Sequence, residues 1–253
     1  MMAFLRKEWM AQWRTGKMLI LGVLFVVFGV MNPAVAKLTP WMLELMGESL
    51  AASGLVVEQV TITALDSWVQ FFKNIPMALI VFVLMLGGIF TEEYRCGTLI
   101  LSLTRGASRM KILLSKAVVL MAMWTMGYWL CFGITYGYNA WYWDNGIAKH
   151  LLFSVFAWWM MGIWAVSLMV LFSAVANTSS AVALLTGGSF LASYLLGLLP
   201  KVSAWVPTKL MDGNSLIYGM ADPDGYWKAV AIAGVLSMLA LVLAVPILNK
   251  KQL

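Results

Sequence analysis

Charge is scarce in this chain. Of its 253 residues only 11% are Asp, Glu, Lys or Arg, while 62% are hydrophobic and mean hydropathy is +0.86. An ordinary soluble domain carries about a quarter charged residues. So few charges cannot clothe a water-facing surface, which excludes a soluble protein and makes lipid the solvent. Histidine is reduced to His150, with no Cys, His or carboxylate partner at metal-ligand spacing, so it reads as an interfacial side chain and no metal site is expected. The two cysteines, Cys96 and Cys131, fall in a loop and in an apolar run, which argues against a disulfide. No G-x-x-x-x-G-K-[ST] loop is present, so ATP is not bound by that route. Paired carboxylates, a nucleophile elbow and a zinc-ligand cluster are also missing, which leaves no basis for an enzyme. The centres of the apolar runs lack Asp, Glu, Lys, Arg and His, against an ion-coupled transporter. They offer no ring of pore charges, against a passive channel. There is no internal repeat and no low-complexity tract.

What is present is length, apolar runs and aromatic residues. An all-α membrane protein with six transmembrane helices follows, spanning residues 18–36, 74–91, 117–143, 151–176, 181–199 and 227–248 in a single domain, 1–253. Thirteen Trp and eight Tyr suit two interfacial belts. Residues 1–17 read as an amphipathic elbow helix in the interface, with Phe4, Leu5, Trp9 and Trp13 toward lipid and Arg6, Lys7, Arg14 and Lys17 toward headgroups. The run from Met18 to Met31 followed by Asn32-Pro33-Ala34-Val35-Ala36 has the outline of a signal peptide. The long leader with Trp9 and Trp13 in amphipathic array reads instead as a retained helix. Residues 37–73, punctuated by Glu44, Glu48, Glu58 and Asp66, read as an external segment, with Pro76 near the first turn of the second span. Asp144-Asn145-Gly146 and Asn177-Thr178-Ser179-Ser180 read as turns, and residues 200–226 as a second external segment.

Basic residues set the orientation. With both termini inside, the inner set holds eleven of the seventeen cations, including every arginine, against three acids, Glu8, Glu92 and Glu93. The patterned loop among them, residues 92–116, is the feature that topology alone does not explain. Glu92 and Glu93 open a helical segment where carboxylates favour the positive end of the dipole, and Leu99 and Leu103 share a face at helical spacing. Gly106 reads as a stop, Ser108 as a cap for a second helix lying parallel to the membrane, and Lys111 and Lys116 as topological cations. A rigid protrusion of this kind suits the transmission of force from a partner.

The pattern E-E-Y-R-C-G-T-L, then S-R-x-K, then Lys116 at the mouth of a span, resembles the type-two ABC exporter permeases. The amphipathic N-terminal helix, the six spans and the loaded segment between spans five and six extend that resemblance over the chain. Gly106 stands where the family often has proline. The resemblance implies a half-transporter that pairs with a second permease copy or homologue and with two cytoplasmic ABC ATPase subunits, ATP and Mg being held on the ATPases and no cofactor on this chain. It implies that Glu92, Glu93, Arg95, Gly97, Thr98 and Leu99 form a coupling helix docked on the ATPase, bordered by Arg105 and Arg109. The elbow residues Arg6, Lys7, Trp9 and Trp13 would lie beside it, and residues 200–226 would gate the outer side. A multi-pass plasma-membrane protein of bacterial type is expected, in contact with membrane lipids and not with nucleic acid.

Gly133 and Gly137, and Ser189, Ser193 and Gly197, form small-residue stripes that let helices approach, either within the chain or at a dimer interface or translocation path. Met160, Met161 and Trp164 are the candidates for an adaptable apolar route. The expected function is ATP-driven export of an amphipathic or hydrophobic cargo such as a peptide, drug or lipid-linked molecule. The alternative is a non-transporting immunity or sensor module that binds an antimicrobial peptide.

Overall fold

The structure, a computed structural model, describes residues 2–45, 61–97, 104 and 108–250. It is all-helical, with no strand among the described residues. Helix α1 covers Met2–Arg14, α2 Lys17–Leu45, α3 Ala64–Leu86, α4 Thr91–Arg95 and α5 Arg109–Tyr142. Then come α6 over Leu151–Val175, α7 over Ser179–Gly197, α8 over Gly213–Ile217 and α9 over Trp227–Lys250. Six of these, α2, α3, α5, α6, α7 and α9, are long and apolar enough to cross a membrane.

Three boundaries depart from the hydropathy reading. Helix α2 continues through residues 37–45 instead of stopping at 36, and α3 starts at Ala64 instead of residue 74. The signal for that earlier start is local. The Asp66 carboxylate accepts from Thr63 N at 2.8 Å and so closes a capping box, which turns an acid that looked external into a helix initiator. Pro76 therefore sits in the middle of α3, not near its first turn. The third departure concerns residues 109–116. These are not a separate helix parallel to the membrane but the first two turns of α5, begun by Ser108, whose hydroxyl accepts from Lys111 N. No breaker interrupts them, so the helix runs on unbroken.

Proline inside a membrane helix strands the carbonyl four residues earlier, and a neighbouring helix must serve it. Pro33 does this to the Gly29 carbonyl in α2. The Thr135 hydroxyl of α5 donates to that oxygen at 3.0 Å. Asn32 Nδ2 donates to the same hydroxyl at 3.0 Å, and Asn74 Nδ2 of α3 donates to Asn32 Oδ1 at 2.7 Å. Three spans are thus tied by one buried polar chain. Residues 32–36, outlined above as a cleavage site, are mid-helix.

Helices α3 and α6 form the centre; 61% of the most apolar stretch of each is buried, against 17% for α7. Helix α9 lies along α6, and α2 lies between α3 and α5. Large aromatic side chains fill the middle: Trp68, Phe71, Phe82, Trp124, Trp158 and Tyr128 are fully buried. Close approach relies on Gly162, where an added Cβ would lie 2.0 Å from the Trp124 ring. The Trp124 indole N–H donates to the Trp159 carbonyl, so the ring is pinned. Gly133 and Gly137, by contrast, have nothing among the described residues within 4 Å of an added Cβ. Gly197 makes only an ordinary contact with Thr208. Cys96 is exposed, Cys131 is buried, and both are free thiols.

Candidate functional site

One end of the bundle gathers α1, the start of α2, α4, the start of α5 and the end of α9. Most of the chain's cations lie there, and among them is a cluster of four ionisable groups, with Lys116 and Glu8 buried, Glu93 partly buried and Lys7 half-exposed. Lys116, in the second turn of α5, is 1% exposed and donates to Glu8 Oε2 of α1 at 2.8 Å. Its ammonium also lies 3.1 Å from Glu93 Oε1 of α4 and donates to the Ile89 carbonyl at 3.3 Å. Lys7 approaches Glu93 Oε1 at 3.3 Å and Glu8 Oε1 at 3.4 Å. Two carboxylates and two ammoniums make a neutral set. That balance matters because a lone charge taken out of water costs several kcal/mol.

Burial by itself would lower the Lys7 pKa, but Glu93 and Glu8 outweigh it and hold the ammonium above its ordinary value. Helix α1 lays Glu8 and Gln12, both buried, against the bundle, with Leu5 and Trp9 half-buried beside them. The face presented to the protein is thus Leu5–Glu8–Trp9–Gln12, which corrects the lipid-facing assignment of Leu5 and Trp9. Trp13 is 63% exposed, and Arg6 is exposed. After Arg14 the chain turns through Thr15 and Gly16, whose positive φ of 72° suits glycine.

The two loop acids have separate places. Glu93 is drawn inward to the lysines, while Glu92 is 57% exposed and pairs with Lys17 of α2 at 3.2 Å. Arg95 is exposed. Helix α4 ends sooner than expected: Cys96 N bonds back to the Glu92 carbonyl, and Gly97, with φ +68°, forms the left-handed stop. A single helix running from Glu92 past Leu99 is therefore interrupted at Gly97. Thr98, Leu99, Arg105 and Gly106 lie outside the described residues. Arg109 stands at the first position of α5, just after the loop and near enough to Tyr94 of α4 for its charge to act there. Its guanidinium donates to the Leu248 and Asn249 carbonyls at 2.6 and 3.1 Å and caps the last span where the helix dipole is negative.

The sequence counts Glu8 among the inner acids and places Lys116 as a topological cation and the last element of the E-E-Y-R-C-G-T-L pattern, and it does not pair the two. The available signal is Glu8 itself, the lone acid in a helix with three cations.

Toward the other end, the candidate path residues do not converge. Met161 is buried in the core, Met160 is half-buried, and Trp164 packs on Phe190 with ring centroids 5.0 Å apart. The Ser189 hydroxyl donates to its own helix at the Leu185 carbonyl, and Ser193 meets Thr208 at 3.4 Å. An apolar cavity of about 300 Å³ opens instead between α3, α6 and α7, lined by Leu79, Val83, Trp158, Thr186, Phe190 and Met211. The segment over it contains the short helical turns Ser203–Trp205 and Pro207–Met211 and helix α8, held down by the Trp158 indole donating to the Met211 carbonyl at 3.0 Å.

Six apolar helices around a pinned aromatic centre, with one basic end, define a multi-pass helical membrane protein. Residues 2–215 match the model of the family described as ABC-2 family transporter protein, and the chain belongs to that family. It is also similar to the uncharacterized transmembrane protein YxlG of Bacillus subtilis (strain 168), 23% identical over 222 residues, which cover 83% of this chain and 81% of that protein. No solved structure matches. Family membership makes the chain a membrane transport component, the transmembrane subunit of an ABC transporter, and implies association with an ABC ATPase.

Proposed function

We propose that the chain is the permease of an ATP-driven exporter, with its basic end in the cytoplasm. Two such subunits, identical or homologous, work with two ABC ATPases that hold ATP and Mg. The carrying observation is the linkage at the basic end. Helix α4 is bound through Glu93 to α5 and α1, and through Glu92 to α2, while Arg109 links α5 to α9. A displacement applied at α4 is therefore delivered to four other helices at once, which is what a coupling element requires. The exposed groups Glu92 and Arg95 meet the ATPase; Glu93 acts from behind, as a positioning residue for α1. The apolar cavity between α3, α6 and α7 suits an amphipathic or hydrophobic cargo such as a peptide, drug or lipid-linked molecule. Residues 200–226 form the outer gate.

The test is purification from native membranes with identification of associated subunits, followed by ATPase assays of the complex. An ABC ATPase is expected to co-purify. Glu92→Ala with Arg95→Ala is expected to remove cargo stimulation of ATP hydrolysis while the amides of α1 keep their protection from exchange. Native stimulation in that double variant, or a transport-competent preparation without an ATPase, would overturn the reading.

A further inference from the structure

Helices α2 and α5 are pinched together at Gly29, where an added Cβ would lie 2.9 Å from Ile134 Cβ. Toward the basic end the buried Phe25 ring of α2 lies on Gly127 of α5 as a floor, and over it runs an apolar groove of about 730 Å³, with Leu19, Val23 and Val27 on one wall and Met123, Met126 and Leu130 on the other. Exposed Trp13 of α1 lies at its open end. The α2 lining runs from Met18 to Val27, roughly 14 Å along a helix axis, close to half of the ~30 Å hydrocarbon core. The groove therefore has the length of one leaflet, not of a spanning helix.

Its mouth is basic. Arg14 is exposed in the last turn of α1, next in sequence to the lining residue Trp13, while Lys17, next to Met18, is paired with Glu92 of α4. Among the described residues this end of the bundle carries nine cations against three carboxylates. An indole and cations at the headgroup level above an acyl-sized apolar slot are complementary to one chemistry.

We infer that the α2/α5 groove is a binding site for an anionic phospholipid of the surrounding bilayer, one acyl chain lying along it and its phosphate at Trp13 and Arg14. The chain itself gains nothing by leaving one apolar medium for another. Selectivity resides in the net charge of the headgroup, since phosphatidylcholine balances the same phosphate with its own ammonium, and a cation such as Arg14, unpaired among the described residues, favours the anionic lipid about fivefold. A second copy of the protein is a poorer occupant, because its helix would need contact along the whole of α2 and the pinch at Gly29 closes the slot halfway.

The experiment is native mass spectrometry of the full chain in mild detergent, titrated with phosphatidylglycerol or with phosphatidylcholine of the same acyl chains. One phosphatidylglycerol per chain is expected to bind at least fivefold more tightly than phosphatidylcholine. Arg14→Gln should reduce that preference about fivefold. Gly22→Phe should abolish the first site, since Gly22 lines the groove and nothing lies within 4 Å of its Cβ position, so the ring enters free space. Met126→Trp blocks the slot from the α5 wall and gives an independent second test should the first variant extract poorly. Gly234→Phe, equally roomy but on α9, is expected to leave lipid binding unchanged. Equal retention of both lipids, or retention of phosphatidylglycerol in both blocked variants, overturns the proposal. So does a copy-to-copy disulfide formed by Val23→Cys in native membranes, which would place a second chain over the groove.

Discussion

Replacing Lys116 with Met removes a buried cation and leaves Glu8, 2% exposed, without its 2.8 Å partner. Breaking one side of a buried ion pair costs about 3–5 kcal/mol, chiefly because the remaining charge stays out of water. The structure selects the low end of that range. Lys7 lies 3.4 Å from the other Glu8 oxygen and 3.3 Å from Glu93, and so supplies partial compensation. A loss of about 3 kcal/mol in the docking of α1 corresponds to roughly a hundredfold faster opening. Hydrogen exchange reads this directly: in Lys116→Met the amides of residues 2–14 should exchange about a hundred times faster, while those in the centre of α6 stay protected. The double variant Glu8→Leu/Lys116→Leu removes both charges and should recover most of the native protection, because an apolar pair replaces an ion pair at little net cost. Exchange within threefold of native in the single variant, or a double variant less protected than the single, would refute the assignment of this cluster as the tie between α1 and the bundle.

The raised Lys7 pKa means that its contribution is complete below the ordinary lysine value of 10.5 and fades as pH climbs through the higher folded value; α1 exchange corrected for intrinsic rate should show no Lys7-dependent change from pH 6 to 9 and a loss of protection only beyond about 10.5. Thr135→Val strands the Gly29 carbonyl and releases Asn32, at an expected cost of about 1–2 kcal/mol in unfolding of the detergent-solubilised protein, whereas Thr135→Ser should stay near native. Gly162→Ala forces a methyl into the pinned Trp124 ring and should cost about 1–3 kcal/mol or more by overpacking, read as a lower melting temperature; Gly22→Ala, with open space around it, should melt as native.

The architecture was largely legible because lipid imposes a simple rule: every span must be long, apolar and helical, and hydropathy reports that. Local chemistry was legible too where it acts within a few residues, as with Ser108 capping α5 and the turn at Asp144, whose carboxylate accepts from Gly146 N. The start of α3 was missed because Asp66 was weighed as a polar residue and not as the third member of a box with Thr63. The ion-pair cluster was out of reach for a different reason. Glu8 and Lys116 are 108 positions apart, and nothing in the spacing of either marks the other. The same holds for Thr135 and Gly29, where the clue is an absence, the amide hydrogen that Pro33 lacks. Apolar periodicity places Met161 and Trp164 in a span but does not tell a cavity wall from a core, and it was their neighbours Trp158 and Phe190 that faced the space.

The vacancy that Pro33 creates in α2 gives that helix a joint partway along its length. A rod missing one rung bends at the gap unless something bridges it, and here the bridge belongs to α5 and not to α2. Under the coupling proposed above, motion passed from α1 to the base of α2 crosses the Pro33 gap to reach its far half, with the Thr135 hydroxyl of the third span as the contact that stiffens the gap.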